Sequence, residues 1–142
     1  MPALCFSCSG SHDNLILLRY LKKRLKNFIE IYNLESGEVK EVPRTETSRD
    51  WLGFVDSTKE YLYFTSNRKH PKYRGLYSFS LKTSRVREIR NPEGEILQWF
   101  DGKKFKGQYF FSKFYTLSHN GLYTIDPKTK KITKIFDEKN TT

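Results

Sequence analysis

The chain has 142 residues, 26 Lys and Arg against 16 Asp and Glu for a net charge of +10, and 11 Phe, 9 Tyr and 2 Trp. That length suits one domain with one core, and so many aromatic residues exclude the aromatic-poor composition that keeps a chain disordered. No apolar run approaches the roughly 18 residues of a membrane helix, and Met1-Pro2-Ala3-Leu4-Cys5 lacks the charged start and long apolar stretch of a signal peptide. The expectation is a cytoplasmic protein with no membrane partner. Its charge attracts anions, whether nucleic acid or acidic protein, although a Lys-rich surface also serves solubility alone.

In chain order, Cys5 and Cys8 form a single C-x-x-C with His12 nearby. A closed zinc site needs four ligands, and His70 and His119 stand far along the chain without a second such pair. Cys5 and Cys8 therefore read as small residues of an inner strand, and no metal or cofactor is expected. Short alternating segments follow, with strands expected at 3–8, 14–19, 27–33 and 38–43, then 51–56, 61–66, 74–80 and 85–90, then 96–101, 107–112, 121–126 and 131–136. Leu18, Leu21 and Leu25 also have helical spacing, but Lys69-His-Pro71 at the matching place in the next segment is turn chemistry, which favours strands there.

These segments repeat. Tyr61-Leu-Tyr-Phe-Thr-Ser66, Gly75-Leu-Tyr77 and Arg85-Val-Arg-Glu-Ile89 recur 46 residues later as Gly107-Gln-Tyr-Phe-Phe-Ser112, Gly121-Leu-Tyr123 and Lys131-Ile-Thr-Lys-Ile135. A looser first copy holds Leu15-Ile-Leu-Leu18, Ile29-Glu-Ile-Tyr32 and Glu35-Ser-Gly-Glu38. Four antiparallel strands per copy, opening on an aromatic-bearing innermost strand (Phe6, Phe54, Trp99), describe a propeller blade. The fold class is all-β, with three four-stranded antiparallel β-propeller blades at 1–47, 48–93 and 94–142 in a single repeat domain.

The segment Val55-Asp-Ser-Thr-Lys-Glu-Tyr-Leu-Tyr-Phe-Thr-Ser-Asn-Arg68 with Gly75-Leu-Tyr77 resembles the WD40-like repeat of TolB-type propellers. Copy three carries the resemblance through Asp101-Gly102, Phe110, Ser112 and Gly121-Leu-Tyr-Thr-Ile-Asp126, and copy one through Ser9-Gly10 and Leu34-Glu-Ser-Gly37. The resemblance implies a fold, places Asp56 and Asp101 in the turn before the second strand, and implies no catalytic residues.

Rings close with typically four to eight blades, and an end blade otherwise leaves an apolar face bare. Strands already run from Ala3 to Phe136, so a fourth blade is not expected within the chain. A homodimer of three plus three blades is expected. The alternatives are a second propeller fragment as partner, or an open stack with polar ends. In such blades the loops between second and third strands share one surface. Arg19, Tyr20, Lys22, Lys23, Arg24 and Lys26 fall there in copy one, Arg68, Lys69, Lys72, Tyr73 and Arg74 in copy two, and Lys113 and Tyr115 in copy three. Basic side chains interleaved with Tyr suit a protein partner or, alternatively, nucleic acid through phosphate pairing and base stacking. No G-x-S-x-G, H-E-x-x-H or Gly-rich phosphate loop occurs. The reading is a non-enzymatic binding module, with a truncated relic of a longer TolB-like or peptidase-associated propeller as a further alternative.

Overall fold

A computed structural model describes residues 3–7, 14–21, 26–116 and 119–138, with side chains from residue 27 onward. Twelve strands make up the described residues: β1 Ala3–Ser7, β2 Asn14–Leu21, β3 Lys26–Asn33, β4 Val39–Glu41, β5 Asp50–Val55, β6 Tyr61–Ser66, β7 Gly75–Ser80, β8 Val86–Arg90, β9 Ile96–Phe105, β10 Gln108–Thr116, β11 His119–Ile125 and β12 Ile132–Asp137. They form three four-stranded sheets, β1-β2-β3-β4, β5-β6-β7-β8 and β9-β10-β11-β12, each an antiparallel meander. These are three propeller blades without a closed ring. The helical spacing of Leu18, Leu21 and Leu25 is overridden by pairing: β2 and β3 run antiparallel from Asn14 opposite Asn33 to Leu21 opposite Lys26.

The hairpin between third and fourth strands is made with the same chemistry three times. Asn33, Ser80 and Asp126 each accept backbone N–H groups of the turn on their side-chain oxygens. Four residues on, Gly37, Ser84 and Lys130 sit at positive φ (74°, 59° and 65°) and donate their N–H groups back to the same three carbonyls. Short polar side chains satisfy the turn locally, and the left-handed position favours glycine.

Blade two is covered on both faces. Alternation along β6 and β7 sends Leu62, Phe64, Tyr77 and Phe79 to one side, where they pack with Ile29, Ile31 and Val42 of blade one. Tyr63 and Leu76 go to the other side and join Phe54, Ile89, Leu97, Trp99, Tyr109, Phe111 and Tyr123. The Trp99 indole N–H donates to the Phe64 carbonyl at 3.0 Å, tying the inner strand of blade three to blade two. Glycine is required at residue 53, where a Cβ would stand 2.6 Å from the Tyr63 carbonyl and 2.8 Å from the Trp99 ring.

Pairing corrects the repeat offset by one residue in β9 and β10. Phe64 stands opposite Tyr77 and Leu52, and their counterparts are Phe111, opposite Tyr123 and Trp99. The offset is thus 47 for those two strands and 46 afterwards. A one-residue slip exchanges the faces of a strand, so Tyr109 corresponds to Leu62 and Phe110 to Tyr63. The irregularity lies in β9, whose pairing jumps from Trp99 to Lys104. Asp101-Gly102 belongs to that jump, with Gly102 at φ 83° under the Phe54 ring, and the turn comes later at Lys106-Gly107, both at positive φ. The turn role implied for Asp101 is therefore not met. Asp56 does meet it, its carboxylate accepting from the Thr58 hydroxyl and the backbone N–H groups of Glu60 and Tyr61.

Lys130→Gly should stabilise the protein by about 0.5–1 kcal/mol, because a side chain in the left-handed region costs more than the extra freedom glycine has when unfolded. Urea unfolding of the variant checks it, and a loss of stability would contradict the turn geometry.

Candidate functional site

The basic residues singled out in the sequence separate into distinct environments. Lys22, Lys23 and Arg24 lie outside the described residues. Arg19 and Tyr20 stand on β2 and Lys26 opens β3, because pairing continues to Leu21 and shortens the loop. Lys113 and Tyr115 are likewise on β10 rather than in a loop, since that hairpin pairs as far as Thr116 opposite His119. Lys72 is exposed and Tyr73 partly so on the loop between β6 and β7.

Arg68 is a structural residue. Its Nη2 lies 3.0 Å from Asp50, a fully buried carboxylate, while its N–H and Nε–H donate to the Ser66 hydroxyl. The guanidinium also covers the Phe64 and Tyr77 rings at 5.1 and 5.0 Å. Burial raises the Asp50 carboxyl above its ordinary value, and Arg68 pulls it part of the way back. Lys69 reaches Glu88 at 3.6 Å. Lys113 lies over the Tyr123 ring at 4.4 Å, and Arg74 over Trp51 at 3.5 Å. The phenols of Tyr115 and Tyr123 both donate to the buried Asp137 carboxylate, and burial, then that carboxylate, pushes both phenols up. The rings beneath Arg68 and Lys113 are buried rings of the core, and Trp51 has one face covered by Arg74. No group of three or more His, Cys, Asp or Glu able to hold a metal stands among the described residues.

The face of blade three turned away from blade two is the larger feature. Tyr63, Leu76 and Ile89 of blade two are at most 5% exposed beneath blade three. Their counterparts Phe110 and Leu122 are partly exposed, and Ile135 is 48% exposed. Two positions that are polar in blade two, Asn67 and Arg90, become Phe114 and Phe136, exposed by 37% and 49%. A shallow hollow of about 340 Å³ lies here between Gln98, Phe100, Ser112, Phe114, Leu122 and Phe136. Sequence reasoning called for a bare face on the end blade without naming its residues. The repeated pattern Tyr63/Phe110, Leu76/Leu122 and Ile89/Ile135 held the signal, once the offset of β10 is known.

The family described as the dipeptidyl peptidase IV (DPP IV) N-terminal region matches residues 17–120. The chain belongs to this family. No curated protein matches it significantly in sequence. Among solved structures this DPP IV N-terminal-region chain is similar in fold to a TolB-type protein of Agrobacterium tumefaciens, with a TM-score of 0.72 and 15% identity over 96% of this chain and 50% of that one. It is also similar to a prolyl endopeptidase, with a TM-score of 0.60 and 12% identity over 86% and 18%. An oligogalacturonate lyase in complex with manganese gives 0.58 and 15% over 88% and 39%. At these identities the likeness shows the propeller fold alone, and the DPP IV N-terminal-region chain spans about half the length of the TolB-type protein or less of the others.

Replacing Arg68 by Met should cost about 3 kcal/mol at pH 7, because it leaves Asp50 buried without its cation. Without Arg68 the folded-state pKa of Asp50 rises further above the unfolded value, so the folded variant binds the proton first and its deficit shrinks as pH falls from 7 towards 5. Urea titrations at both pH values test the sign, and a deficit that stays constant or grows on acidification would contradict it.

Proposed function

We propose that the chain is a non-enzymatic β-propeller binding module that works as half a ring, its blade-three face covered by blade one of a second copy, and that the closed ring presents its basic and aromatic surface to a protein partner. The observation that carries the reading is the apolar character of the last face. A blade face that stays in solvent is polar, whereas the blade-three face turned away from blade two is apolar, with Phe114 and Phe136 where blade two has Asn67 and Arg90. A contiguous apolar patch of that kind marks a contact surface. Two copies, each spanning 50% of the TolB-type protein, would together amount to its length, and a two-fold axis makes both new contacts identical.

The non-enzymatic part rests on the motifs that the sequence lacks and on the structural role of the buried ion pair of Asp50 with Arg68. Protein is favoured over nucleic acid as the ring's partner because Arg68 and Lys69 are already engaged by Asp50 and Glu88, and Arg74 covers a face of Trp51 that would otherwise stack on a base. Binding of single-stranded DNA that falls steeply with salt would favour the nucleic-acid reading instead.

Light scattering coupled to size exclusion should give a mass of about 34 kDa, twice the 16.9 kDa chain, and Leu122→Lys should halve it while leaving the β-sheet circular dichroism intact. A 17 kDa wild type at tens of micromolar would overturn closure by a second copy. If that monomer bound a separately expressed propeller fragment, the second-fragment alternative would take its place.

A further inference from the structure

A groove of about 470 Å³ lies between the inner strands of blades two and three, walled by Trp51, Leu52, Thr65, Arg74, Gln98 and Phe100, with Asp101 at one end. Its position follows from the fold. Trp51 is on β5 and Gln98 on β9, while Arg74 immediately precedes β7 and is held to the start of β9 by the Leu97 N–H, which donates to the Arg74 carbonyl at 3.1 Å. The groove is built by one chain, and its Gln98 and Phe100 walls also border the hollow on the outer face of blade three.

Its charge is not balanced. The Arg74 guanidinium lies flat on Trp51, 3.5 Å from the ring centre, which blocks one of its faces and leaves its N–H edges as the donors. Among the described residues neither Arg74 nor Arg49 has an acidic partner. The two are near enough that Arg49 adds to burial in lowering the pKa of Arg74. Arg49 is fixed in turn through its backbone, its N–H donating to Asn67 Oδ1 at 2.6 Å. Arg68, by contrast, has Asp50 as its anion. A guanidinium held on Trp51 without an anion leaves an oxyanion site, and its planar fork suits a carboxylate in bidentate geometry.

The walls select further. Leu52 and Phe100 offer apolar surface for the carbon part of a ligand, and the volume is that of a small-molecule pocket. Asp101, two-thirds exposed and 3.9 Å from Lys103, places a negative charge at the far end, which disfavours a doubly charged phosphate monoester relative to a singly charged acid. We propose that this groove binds a monocarboxylate attached to an apolar group, with Arg74 receiving the carboxylate, the charge of Arg49 reinforcing it from outside the lining, and Phe100 and Leu52 receiving the apolar part. The free amino acid, the peptide terminus and the aryl acid share this chemistry.

The test uses phenylacetate as the probe and the indole N–H resonances of the chain's two tryptophans as the readout, on the full chain in its own assembly. The Trp51 resonance should shift saturably, with a midpoint on the order of 1 mM, while that of Trp99, whose N–H is held by the Phe64 carbonyl, moves little. Arg74→Met should weaken the response at least tenfold. Because that change also removes the cover from Trp51, Arg49→Met serves as the second variant and should weaken it several-fold with the ring contact kept. Acetate should bind more weakly for want of the apolar part. The proposal is overturned if Trp51 does not respond, if both arginine variants titrate like the wild type, or if phenyl phosphate or inorganic phosphate binds more tightly than phenylacetate. Because Gln98 and Phe100 also border the blade-three face, the titration is repeated on Leu122→Lys; Trp51 should respond in both proteins, so failure here and failure of ring closure are distinguishable.

Discussion

The structure depends on a β-sheet being covered on both of its faces. In blade two the requirement is met: Leu62, Phe64, Tyr77 and Phe79 pack under one neighbour, Tyr63 and Leu76 under the other, and five of these six are at most 2% exposed. Removing either neighbour would return several large side chains to water, each at a cost of about 1.5–3 kcal/mol. Blade three has the same construction with one neighbour. Its inner side repeats that of blade two, Tyr109 for Leu62, Phe111 for Phe64 and Tyr123 for Tyr77, and its outer side repeats the positions that should lie beneath a further sheet. The uncovered face of blade three is therefore also its functional opportunity.

The same economy explains why a charge of +10 does not translate directly into a polyanion surface. A guanidinium can be spent on holding the sheet together, as Arg68 is between Asp50, Phe64 and Tyr77, or left without an anion, as Arg74 is on Trp51. Residue type and loop position do not tell these apart. What does is the carboxylate, and Asp50 lies 18 residues upstream on a neighbouring strand, a partnership that only strand pairing creates.

The strands were largely legible because their signals are local: alternation, turn residues, and a repeat that places Asn33, Ser80 and Asp126 at the same point of three hairpins. All twelve expected strands are present, with ends shifted by a few residues where pairing outlasts the alternation, as in β9 and β10. The faces were less legible. One irregular stretch around Asp101-Gly102 moves the register of β9, and since side chains alternate at every residue, the naive offset assigns Tyr109 and Phe110 to the wrong sides. The groove was illegible for a further reason: Trp51, Arg74 and Gln98 come from three strand ends that meet only when two blades pack together.

Whether blade three is covered can be read at the side chains themselves, by hydroxyl-radical footprinting of the phenylalanines across a range of protein concentrations. Ring closure predicts that Phe114 and Phe136 become protected as concentration rises while Phe105, exposed by 51% at the end of the β9–β10 hairpin, stays reactive throughout. Equal and constant reactivity of all three would mean that the face remains open to water, and the half-ring account would be wrong.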